Sequence, residues 1–164
     1  MIYITYDQLK RRTPQVEALI DGWRKQGDCP SPYGSGSAYF RYDPYAPAIV
    51  MPVNINGITT RMVIDTGATR TLLAKSLAKR AGIEPSSSLG SIVSTANGKI
   101  WQAGGRAKQI TLGDASSSYV PVFIQTTDDN IFGNTDVEGL LGLSFLGNFK
   151  FSLNKGILEL QPLE

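Results

Sequence analysis

Histidine is absent from this 164-residue chain, and cysteine occurs once, at Cys29. The first absence excludes Ser-His-Asp and Cys-His nucleophile systems, His-Glu-x-x-His zinc sites and any imidazole proton shuttle. The second excludes an internal disulfide and a cysteine cluster for zinc or iron–sulfur. Long apolar runs are missing as well. The strongest candidates, Ile49–Val53 and Gly139–Leu146, fall far short of the roughly 20 residues that span a bilayer, so no membrane span is expected. Charge of either sign is scarce and nearly balanced, 16 Lys and Arg against 14 Asp and Glu, which argues against a nucleic-acid partner. The opening Met-Ile-Tyr-Ile-Thr-Tyr-Asp lacks a basic region followed by an apolar stretch, and the lone thiol suits a reducing compartment, so a cytoplasmic location is expected. Any acid–base chemistry must then come from carboxylates, Lys, Tyr or water.

Glycine, by contrast, is plentiful at 17 residues, which favours a β-rich domain with many turns. Three regions follow from the patterning. Residues 1–28 read as a helical N-terminal extension. Thr5 with Gln8 forms a capping box, Ile4 with Leu9 has the spacing of a hydrophobic staple, and Thr13-Pro14 starts a second helix. Val16, Leu19, Ile20 and Trp23 give that helix one apolar face, expected to dock on the main domain or a dimer partner. Residues 29–48, with four Pro and four Tyr, read as an irregular linker, and Tyr39-Phe40 within it is an apolar pair open to self-cleavage. Residues 49–164 alternate as short strands. Asn56-Gly57 and Asn97-Gly98 signal tight hairpins, the second joining Ser91–Thr95 to Lys99–Ala103. Ala107–Leu112 reads as a further strand, and Thr71–Ala81 as a helix ending at Gly82. The fold class expected is mostly β, a compact closed barrel or folded sheet with one or two short helices and no internal duplication.

Val63-Ile64-Asp65-Thr66-Gly67-Ala68 carries the chemistry. An apolar strand delivers one carboxylate to its end, Thr66 supplies a donor and acceptor to tie down the loop, and Gly67 allows a positive φ or a close approach. Asp-Thr-Gly alone is weak evidence, arising by chance at about one position in 5,000 at average residue usage. Two further segments change that. Ser94-Thr-Ala96-Asn97-Gly98-Lys99 forms a hairpin, and Gly139-Leu-Leu-Gly142-Leu-Ser-Phe-Leu146 is an apolar-apolar-Gly segment entering a short helix.

In that order and spacing, over residues 49–160, the chain resembles the retropepsin-like aspartic proteases, most closely their bacterial single-lobe branch. Leu143-Ser144-Phe145 departs from the viral members, which usually have Arg or Ala and then Asp or Asn after the last Gly. The resemblance implies an aspartic endopeptidase without metal or cofactor. With one Asp-Thr-Gly per chain, the second carboxylate must come from a second copy, so a homodimer with Asp65 of each chain on the two-fold axis is expected. The resemblance also implies a hydroxyl of Thr66 bonded across that axis, Gly67 and Ala68 supporting the active loop, and a flap formed by Ala96, Asn97, Gly98 and Lys99. That flap would close on a peptide or protein substrate bound as an added strand. Trp101 either lines a pocket or packs the flap. A catalytically silent peptide-binding module is the alternative, and paired-carboxylate glycoside hydrolysis finds no supporting motif. Asp128, Asp129, Asp136 and Glu138 do not match a calcium-loop register and read as a solvated loop, while Cys29 has no basic partner to activate it.

Overall fold

A computed structural model describes residues 34–95, 98–127, 132 and 136–163. The helices expected over 1–28, Cys29, the flap residues Ala96 and Asn97, and the Asp128-Asp129 pair lie outside them. Ser31–Glu164 is one compact unit. No helix among the described residues is long and apolar enough to cross a membrane.

Ten strands and two short helices follow in order. They are β1 (Ala38–Arg41), β2 (Val50–Ile55), β3 (Ile58–Ile64), β4 (Thr71–Leu73), α1 (Lys75–Arg80), β5 (Ser86–Thr95), β6 (Gly98–Leu112), β7 (Ala115–Ile124), β8 (Val137–Leu141), α2 (Leu143–Leu146), β9 (Phe149–Asn154) and β10 (Ile157–Pro162). The larger sheet runs β2-β3-β8-β4-β7-β6-β5, and β2 also pairs with β6. That extra pairing closes six strands into a barrel and leaves β5 outside the ring. The closure spans two rungs, Asn54↔Thr111 and Ile55↔Ile110. Inward positions alternate along each wall strand, so Met51, Val53 and Ile55 of β2 meet Met62 and Ile64 of β3 in a core completed by Leu73, Leu77, Ile110, Leu112, Leu141, Phe145 and Leu158. The fold class read from the sequence is therefore found.

At Asn56-Gly57 both residues have positive φ, 51° and 91°, as a type I′ turn requires. The Asn56 amide also stitches the barrel. Its Nδ2 donates to the Ala81 carbonyl at 2.9 Å, and its Oδ1 accepts from the Gln109 N–H at 3.0 Å.

Three expectations need correction. Thr71-Leu72-Leu73 is strand, and the helix begins only at Lys75. These three residues run parallel to β7 and antiparallel to β8, so a central slot in the sheet outweighs their helical period. Gly98–Leu112 is one long strand where two were expected. Within the segment read as an irregular linker, Ala38–Arg41 forms β1, antiparallel to β10. Ala38 is buried and Phe40 packs on the core, so tertiary contact overrides the Pro- and Gly-rich composition. Tyr39-Phe40 is thus held in a ladder with β10 and is not part of an irregular stretch.

Candidate active site

β3 ends at Ile64 and hands Asp65 to a loop beneath which the chain is cross-braced. β8 lies between β3 and β4, parallel to the first and antiparallel to the second. The Asp65 N–H donates to the Leu141 carbonyl of β8 at 3.0 Å, and the Leu143 N–H donates to the Ala68 carbonyl at 2.8 Å. The loop is therefore pinned at both ends to the segment that becomes α2. Asp65 itself is half-buried, and its Oδ1 accepts the Gly67 N–H at 2.9 Å. Thr66 and Gly67 are exposed, Ala68 half-buried.

Gly67 does not use a positive φ, contrary to one of the two roles open to it. A Cβ there would stand 3.2 Å from Asp65 Oδ1, so the position serves close approach to the carboxylate. Gly142 is more constrained. A Cβ would lie 2.6 Å from the Ala68 carbonyl oxygen and 2.8 Å from the backbone of Arg70, so α2 can seat against the loop only through a bare backbone.

Beneath the loop, Thr71 and Ser144 form a knot that the sequence alone did not single out. The Thr71 N–H donates to Ser144 Oγ at 2.9 Å, while Thr71 Oγ1 accepts from the Gly142 N–H and from the Ser144 hydroxyl, each at 3.2 Å. Thr71 is fully buried. Asn148 Nδ2 donates to the Ser144 carbonyl at 3.0 Å and to Ser117 Oγ at 2.8 Å, tying the far end of α2 to β7. The signal for Ser144 was its place two residues after Gly142, where the chain departs from the viral pattern.

Above the wall, β5 and β6 continue as a two-stranded arm joined by pairs from Ser91↔Gln102 to Thr95↔Gly98. Gly98 has φ 115°, and Lys99 is exposed. Ile92 and Trp101 face each other across the arm, both well exposed, and the Trp101 ring lies over Gly90. Trp101 shares its face of β6 with Ala103, Gly105 and Ala107, of which Gly105 abuts Ile83 and Ile124 in the core. The arm's apolar face is thus the core face carried past the rim.

Arg70, also missed, closes the loop before β4. Its Nη1 donates to the Leu89 carbonyl at 3.1 Å, and its guanidinium lies 4.8 Å from the centre of the Phe123 ring.

The acids read as a solvated loop are structural where they are described. Arg61 binds both Asp136 oxygens, at 2.8 and 2.6 Å, and this hydrogen-bonded partner holds the exposed carboxyl below its ordinary range. Arg80 of α1 binds Glu138 of β8 through two bonds, 2.9 and 2.7 Å, and Thr60 of β3 donates to the same carboxylate at 2.7 Å. Arg80 chiefly lowers the Glu138 pKa, burial opposing and Thr60 assisting, and the same bond raises that of Arg80. No group of three or more potential metal ligands exists among the described residues.

Comparison with known proteins gives a family and a fold. The family described as aspartyl protease matches residues 51–145, from β2 to α2. A retropepsin-like aspartic protease from Rickettsia conorii superposes with a TM-score of 0.54 at 21% identity, over 76% of this chain and 90% of that one. An EIAV protease solved with the inhibitor HBY-793 aligns at 14% identity and TM-score 0.49, over 65% of this chain and 91% of that one. No curated protein matches the sequence. The loop that ends β3 at Asp65, braced by β8 and α2 inside a six-stranded barrel, lies within the matched span: the chain belongs to the aspartyl protease family and has the retropepsin-like fold.

Proposed function

We propose that two copies of this chain form an aspartic endopeptidase, with Asp65 of each on a shared two-fold axis. The observation that carries the reading is the braced, half-buried Asp65 at the end of β3, present once per chain. Peptide hydrolysis needs a general base and a general acid at one centre, and one carboxylate cannot be both at once. A two-fold operator supplies the second from the identical position of the partner. Two carboxyls in contact cannot both ionise, so the pair holds one proton between them; aspartic proteases are the familiar example of this effect.

The chemistry then balances without a further group. The ionised carboxylate takes a proton from a water, whose oxygen bonds to the scissile carbonyl carbon. The protonated carboxyl donates its proton to the carbonyl oxygen as charge develops there. Collapse of the tetrahedral intermediate breaks the C–N bond, with a proton passing to the leaving nitrogen and the carboxyl pair returning to its singly protonated state. Thr66, exposed beside Asp65, supplies a hydroxyl to bond across the axis, and Gly67 and Ala68 support the loop for that approach. The arm covers an extended peptide. Gly98 and Lys99 stand at its described end, while Ile92 and Trp101 offer its apolar face.

Substituting Asp65→Asn tests this reading. Digestion of a mixed peptide library by the wild type, read by mass spectrometry at several pH values, is expected to give cleavage that falls at least about a thousandfold in the variant. Cleavage that survives the substitution excludes the proposed chemistry. Peptide binding by both proteins with turnover by neither favours the silent binding module.

A further inference from the structure

The guanidinium of Arg70 bridges two parts of the molecule that a bound peptide must pass between. Its backbone is the last of the loop that holds Asp65. Its side chain reaches Leu89, in the stretch of β5 where pairing with β6 slips between Ser86 and Ser91, at the foot of the arm. It therefore stands at the side of the space between the Asp65 loop below and the arm above.

Among the described residues, what holds Arg70 leaves most of its donors unused. One N–H goes to the Leu89 carbonyl, and the ring face of Phe123 supports the plane from one side. A guanidinium has five N–H donors in a fixed fork. Arg61 and Arg80 spend theirs on Asp136 and Glu138. No carboxylate among the described residues pairs with Arg70, although it is half-buried and oriented. An oriented, partly desolvated cation with free donors is built to receive a carboxylate.

We infer that Arg70 selects peptides carrying an acidic side chain near the scissile bond, bound through the free edge of its guanidinium. The inference rests on the peptidase reading and deepens it. Symmetry adds a second feature. In a two-fold dimer the partner's copy of the same arginine stands at the opposite end of the cleft, so acidic residues are favoured at equivalent offsets on both sides of the cleaved bond.

The test scans Glu, Gln and Lys through each position flanking a bond that the wild type cleaves, measuring kcat and KM separately. Glu is expected to raise kcat/KM about tenfold over Gln at one offset on each side, chiefly through KM, and Lys to lower it, as a charge-assisted hydrogen bond implies. Arg70→Gln should abolish the difference between Glu and Gln, and Arg70→Glu should turn the preference toward Lys. Arg70→Lys, which keeps the charge but loses the fork, should retain part of it. Because these variants also lose the Phe123 contact, their melting temperatures are read alongside, and the wild-type scan decides by itself if they fail to fold. Indifference to charge at every offset overturns the inference while leaving the peptidase standing. If no peptide is cleaved, the peptidase reading falls. The same scan is then run as binding of peptides with a reduced, uncleavable bond: about tenfold tighter binding of the Glu series upholds the role of Arg70, and equal or absent binding overturns it.

Discussion

The side chains that fix Asp65 are small and mostly uncharged, and their effect comes from where they sit. Thr71 Oγ1 is the acceptor for the Gly142 N–H in a fully buried position. Thr71→Val keeps the shape and removes the acceptor. It is expected to cost about 1–3 kcal/mol, the penalty for an orphaned buried donor, read as a fall in the urea midpoint at unchanged slope. Activity should fall further than stability accounts for, because the orphaned donor lies directly under the loop; a variant with wild-type turnover would show the knot to be dispensable. At this scale the loop of Asp65, Thr66 and Gly67 was legible because the three are contiguous and stand in order with the Asn97-Gly98 hairpin and the Gly139–Leu146 segment. It was illegible for Thr71 with Ser144, which stand 73 residues apart and meet only because β8 threads between β3 and β4. Arg70 escaped for the same reason, its partners Leu89 and Phe123 being distant in sequence.

Among the elements, α1 is a single six-residue helix whose N-cap residue Ala74 makes no side-chain capping bond. Such a helix is marginal by itself. It is secured by Leu77 and Ala78 in the core and by Arg80 gripping Glu138 on β8. The Glu138 carboxyl has its pKa lowered in the folded chain, so its contribution is present above its ordinary value of 4.5 and is lost as pH falls through the lower folded value. Thermal unfolding from pH 7 to pH 3 should therefore show a gap between wild type and Glu138→Gln, about 1 kcal/mol after solvent screening of the half-exposed arginine, that narrows below pH 4.5. A gap that stays constant to pH 3 would remove the ion pair as its cause. Hairpins were the elements best read in advance, since Asn56-Gly57 encodes its turn locally. Elements defined by a slot in the sheet were not. Thr71–Leu73 and Ala38–Arg41 take strand conformation because β8, β7 and β10 offer them edges, and no local pattern announces that.

Considered whole, the barrel carries one Asp-Thr-Gly, and in the reading advanced here its activity belongs to pairs of chains. Specific activity should then fall on dilution through the dimer's dissociation range and recover on concentration. A specific activity constant over that range, with sedimentation reporting monomers, would mean that one chain suffices and that the second acid lies elsewhere.

β6 belongs at once to two parts of the protein. From Ala103 to Leu112 it is ladder-bonded to β7 inside the sealed wall, while from Gly98 to Gln102 its ladder partner is β5 alone. Where the two stretches meet, Gly104 admits the backbone of Leu89 at a distance no side chain would allow, and Leu89 is the residue that Arg70 holds from below. Arm and loop are accordingly joined at that crossing, so in the proposed peptidase any load that a captured peptide puts on the arm reaches the chain five residues from Asp65.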